Sequence, residues 1–134
     1  MNDIISYDRV FEHGQYTQRL RALRPAVLEA FRDAPEALAS PLLTGTVGAL
    51  LGDIYRLVSR EPGARLLPRP DPARPPRHRQ LNSMLRDAQL ALDTFAWRHR
   101  DHEHEYGDEW ITLEGIAYRE ENLGKLSPPD DDDL

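Results

Sequence analysis

The chain contains no cysteine, so disulfides, thiolate metal ligands and thiol nucleophiles are all excluded, and cysteine usage leaves the redox compartment undetermined. Lysine is almost as scarce. Lys125 is the single lysine among 17 basic residues, a bias that, with the many Ala, Leu and Pro, points to a high-GC bacterial or bacteriophage genome. No apolar run approaches the roughly 20 residues needed to cross a bilayer, and MNDIISYDRV lacks the basic-then-apolar order of a secretory signal. The expected location is the cytoplasm, or a virion if the chain is phage-encoded.

What is present is a 134-residue chain, the length of one domain, which buries roughly two-thirds of the surface exposed on unfolding and so forms a core without staples. Its net charge of -6 is unevenly spread. From residue 101 onward 12 acidic and 2 basic residues give -10, which leaves +4 on residues 1–100. The two ends therefore suit different partners, or each other.

The longest stretch free of Pro and Gly is 77–106, and it reads as one long helix. Leu81, Met84, Leu85, Ala88, Ala91, Leu92 and Phe95 recur at three and four, the spacing of one helical face. The same stripe runs on through His99, His102 and Tyr106. Before it, 6–23 reads as a first helix with Ser6 as N-cap and Tyr16, Leu20 and Leu23 on its apolar face. Arg24 before Pro25 favours a break, with a second helix carrying Val27, Leu28 and Phe31 to about Pro35; one kinked continuous helix is the alternative. Ser40 followed by Pro41 is the clearest helix start in the chain. The helix over 40–60 has a wide apolar face of Leu43, Val47, Leu50, Leu51, Ile54, Leu57 and Val58, and a narrow one of Gly45, Gly48 and Gly52 that invites close approach by another helix. It is too short and charged for a membrane span, and TGTVGALLGD lacks the Lys and Ser/Thr of a phosphate-binding loop.

Residues 61–77 hold six of the 11 prolines and form neither helix nor central strand. The expectation is an extended, polyproline-like strap. After Gly107 and Asp108, DEWITLEGIAYREENLGKL reads as a last helix ending at Gly124, with a hairpin pairing 110–113 and 116–119 as the alternative. SPPDDDDL is an acidic tail too polar to join a core. The fold class that follows is all-α: a compact bundle of four or five helices in a single domain 1–126, with the strap inside it and the tail at 127–134.

Three groups of side chains are candidates for chemistry. His99, His102 and Glu103 share a helical face and would offer nitrogen and oxygen ligands to zinc or iron, and Asp101 with His104 repeats the acid-x-x-His spacing of carboxylate-bridged metal bundles. A second such pair is missing elsewhere, so no cofactor is the first expectation and zinc or iron the alternative. Arg65, Arg69, Arg74, Arg77 and Arg79 line the strap and suit phosphates or an acidic protein surface, although no aromatic residue there would stack a base. Asp130, Asp131, Asp132, Asp133 and Leu134 form an acidic tip suited to a protein partner. No serine sits in a nucleophile elbow. These observations favour a non-enzymatic interaction or assembly subunit that binds other proteins or itself, ahead of a metal-binding helical protein or metal-dependent enzyme, and ahead of a nucleic-acid-binding accessory protein using the arginines of 56–79.

Overall fold

The structure, a computed structural model, describes residues 5–61, 66–101 and 109–112. Among these residues the chain is mostly helical, with three helices and one pair of two-residue strands, in the order α1 (Tyr7–Asp33), α2 (Pro41–Val58), α3 (His78–His99), β1 (Arg100–Asp101) and β2 (Glu109–Trp110). All-α is thus correct as a class. The described residues hold three helices rather than four or five, and each discrepancy has a physical cause.

The first lies at Pro25, where the expected break is absent and α1 runs through. A proline inside a helix removes one backbone hydrogen bond and costs about 3 kcal/mol. Leu20 and Val27 stand two turns apart on either side of it and are both buried, at 0% and 1% exposure. Burying two such side chains is worth about 1.5–3 kcal/mol each, and both reach the core only if one helix axis carries them. Pro25 itself and Arg21, whose carbonyl loses its donor, lie at exposed positions where water reaches the carbonyl.

The start of α2 follows the expectation. The Ser40 Oγ accepts from the Leu43 backbone N–H at 3.1 Å, and Pro41 occupies the first helical position. Its wide face is core: Val47, Leu50, Leu51, Ile54, Leu57 and Val58 are all at most 4% exposed. The stripe of α3 is likewise buried at Leu81, Leu85, Ala88, Leu92 and Phe95. Those residues belong with Leu20 and Val27 to a compact unit formed by Phe11–Trp97. Within it His13, from α1, stacks on Phe95 of α3 with ring centroids 5.6 Å apart and donates from Nε2 to the Leu92 carbonyl at 2.9 Å. The direction is forced, since a carbonyl only accepts.

The amino end of α3 is satisfied by the linker between α1 and α2. The His78 N–H donates to the Ala37 carbonyl and the Arg79 N–H to that of Pro35, both at 2.9 Å, while the Ala39 N–H donates to the Pro76 carbonyl at 2.8 Å. The Gln80 Oε1 accepts from the Arg77 N–H at 2.8 Å, half of a capping box. The donors that a helix start leaves without intrahelical partners are thus met by main chain some 40 residues away.

Of the described residues, 5–10, 98–101 and 109–112 belong to a second compact unit. Of the helix expected over 77–106, only 78–99 is helical. The chain then turns into β1, which pairs antiparallel with β2 so that Arg100 faces Trp110 and Asp101 faces Glu109. The Ile111 N–H donates to the His99 carbonyl at 2.8 Å, and the Ile5 N–H to the Ile111 carbonyl at 3.3 Å. Pairing with a segment distant in sequence overrides the local 3.6-residue periodicity that continues past His99. The last helix is corrected on the same ground, because 109–112 is paired in extended conformation. The remainder of that helix or hairpin, and the tail, lie outside the described residues.

Candidate functional site

The strap is where sequence and structure meet most closely. Pro68 to Pro76 carries no regular secondary structure, as its prolines dictate, and turns at Asp71–Arg74. The Asp71 carbonyl there accepts from the Arg74 N–H and its Oδ1 from the Ala73 N–H, both at 2.9 Å, an Asx-type turn with proline second.

What lies on the narrow glycine face of α2 is this strap, not a helix. A Cβ placed on Gly48 would stand 3.3 Å from the Pro70 carbonyl oxygen, one on Gly52 would stand 3.1 Å from the Arg69 Nε, and one on Gly45 would stand 3.7 Å from the Pro72 Cγ. The expectation of close approach was correct and that of its occupant was not. A face without side chains admits any main chain, and a segment with few N–H groups needs few partners from the helix it covers. Pro70 and Leu67 are buried in the process.

Arg69 crosses α2 and donates from Nε to the Gly48 carbonyl at 3.2 Å, with its guanidinium carbon over Gly52. Beside it, Gly52, Tyr55, Arg56, Leu66, Leu67, Pro68 and Arg69 enclose a cleft of about 360 Å³, its walls mostly apolar. Leu66 is 69% exposed. Arg56 pairs with the Asp53 Oδ1, and Arg19 donates to the Asp53 Oδ2 at 2.6 Å, so one carboxylate holds two guanidinium groups. Nearby, Arg19 lies 5.6 Å from the centroid of the Tyr16 ring. The Tyr16 hydroxyl is pushed above its ordinary value by partial burial first, then by the Glu12 and Asp53 carboxylates.

The remaining strap arginines separate. Arg77 and Arg79 both engage Glu36: the Arg79 Nε donates to its Oε2 at 2.9 Å, Arg77 lies 3.8 Å from its Oε1, and the Arg77 Nη1 donates to its main-chain carbonyl at 2.8 Å. The Arg79 hydrogen bond is the main reason the Glu36 carboxyl is held below its ordinary value. Arg74 is exposed on the turn. Arg65 lies outside the described residues.

Of the histidine cluster, the structure describes His99 and Asp101. His99 ends α3 with 1% exposure, and Asp101 is in β1. His102, Glu103 and His104 lie outside the described residues, as do Asp130 to Leu134. Among the described residues no three His, Asp or Glu side chains come together as a metal site, and no helix is long and apolar enough to cross a membrane.

Sequence reasoning passed over Tyr55 and Leu66. Their signal was indirect: the glycines at 45, 48 and 52 mark where main chain crosses α2, and Tyr55 and Leu66 flank that crossing. No family model, no curated protein and no solved structure matches the chain.

Proposed function

We propose that the chain is a non-enzymatic protein–protein interaction subunit of a bacterial or bacteriophage complex, and that the strap beside α2 is its contact surface. The observation that carries this reading is a pre-ordered strap with an outward-facing apolar side chain. Its main chain is seated on the glycine face of α2, while Leu66 remains 69% exposed. Fixing an extended residue costs about 1–2 kcal/mol of backbone entropy. Here that ordering precedes binding, so a partner meets a surface it need not organise.

Purification of the tagged full chain from its native host, under gentle conditions, tests the reading. A partner should co-purify in near-stoichiometric amount and be lost with Leu66→Asp, an exposed change whose helix content is checked by circular dichroism. A chain that brings down nothing, or the same proteins with and without the substitution, would overturn it.

A further inference from the structure

We propose that the cleft between α2 and the strap receives the acidic segment Asp130–Leu134 of a second copy of the chain. The inference rests on the interaction reading above and names the partner for that surface.

The cleft has two kinds of wall. Tyr55, Leu66, Leu67 and Pro68, with Gly52, form an apolar surface, and Arg56 and Arg69 stand among them. Among the described residues both arginine side chains have capacity left. Arg69 spends its Nε on the Gly48 carbonyl, so its two amino groups form a fork of the geometry that grips a carboxylate. Arg56 shares Asp53 with Arg19 and has a side chain 72% exposed. The ligand this lining fits is an acidic peptide bearing one aliphatic side chain: carboxylates for the guanidinium groups, the aliphatic group for the Leu66 and Pro68 wall.

The chain carries such a peptide. Asp130, Asp131, Asp132 and Asp133 are followed by Leu134, and the charge of the two regions is opposite, +4 over residues 1–100 against -10 over 101–134. A copy that holds both the cleft and the segment pairs reciprocally with another, which suits a closed dimer. Charge complementarity of this kind steers encounter and weakens as salt screens it.

The test uses the full chain and a fluorescein-labelled peptide of sequence SPPDDDDL, read by anisotropy, with sedimentation equilibrium of the unlabelled protein. The expected result is saturable binding that weakens between about 50 and 300 mM salt. It should fall about tenfold with Arg56→Gln combined with Arg69→Gln, and fall again when the peptide's aspartates become asparagine or its leucine becomes alanine. Self-association of the full chain should be lost when Asp130–Asp133 are replaced by asparagine. Because Arg69 also touches α2, the peptide substitutions and Arg56→Gln alone keep the test independent of strap folding. Equal binding of the acidic and asparagine peptides overturns the proposal. So does a full chain that stays monomeric while the asparagine variant binds the peptide more tightly, since its own segment then occupies the cleft. If a host protein co-purifies in a Leu66-dependent way yet the peptide does not bind, this inference fails and the interaction reading stands; if neither occurs, both fail.

Discussion

Thr44 is fully buried on α2, and among the described residues its hydroxyl has no hydrogen-bond partner. A buried polar group left unmet costs about 1–3 kcal/mol, whereas valine keeps the branched shape without the hydroxyl. Thr44→Val is therefore expected to stabilise the protein by about 1 kcal/mol, seen as a higher denaturant midpoint at unchanged slope; a lower midpoint would mean the hydroxyl is satisfied. Glu36 supplies a second prediction, one of pH. Its carboxyl is held down mainly by the Arg79 hydrogen bond, so its contribution to stability is complete above the ordinary carboxyl value of 4.5 and is lost as pH falls through the lower folded value. The gap in unfolding free energy between wild type and Glu36→Gln should be open at neutral pH and close on acidification. A gap that ignores pH would contradict the assignment. Both side chains of the pair are more than half exposed, so the gap is small.

At the scale of elements, the glycines of α2 form a graded series. Alanine in place of glycine gains about 1 kcal/mol in a helix interior, and what the new methyl meets decides how much survives. Gly45→Ala meets the Pro72 Cγ at an ordinary 3.7 Å and should keep most of the gain, while Gly48→Ala meets the Pro70 carbonyl oxygen at 3.3 Å. That oxygen belongs to seated main chain, so Gly48→Ala is expected to lower stability by about 1 kcal/mol. Gly14→Ala, with nothing within 4 Å, is the control that should stabilise. Thermal unfolding of the three variants checks the order. Such elements were readable in sequence to different depths. Ser40–Pro41 and the Leu81–Phe95 stripe announce α2 and α3 because caps and periodicity are local physics. Pro25 misleads because the burial that overrides it, at Leu20 and Val27, is tertiary. The pairing that ends α3 at His99 depends on Trp110 and Ile111, which no window around His99 contains. The cleft was less readable still: the strap arginines were visible, but that Arg69 turns inward over Gly52 while Arg77 and Arg79 turn to Glu36 depends on where the strap lands.

Across the whole molecule, the Phe11–Trp97 unit is closed by main-chain bonds between residues far apart in sequence. The Ala39, His78 and Arg79 amides donate to Pro76, Ala37 and Pro35, tying the α1–α2 linker to the start of α3. Breaking one such bond exposes the others, so these amides should exchange with solvent only through global opening of the unit, as slowly as the core of α2. Native-state hydrogen exchange measures this, and fast exchange at low denaturant would show that the junction opens locally. The fit of the strap to α2 has one more consequence. Because Gly48 faces the Pro70 oxygen and Gly52 faces Arg69, the two segments are complementary halves of one contact. A chimaera that joined α2 of this chain to a strap of different sequence would place its crossover between the halves, and compatibility there depends on residues 45–52 and 69–72 changing in concert.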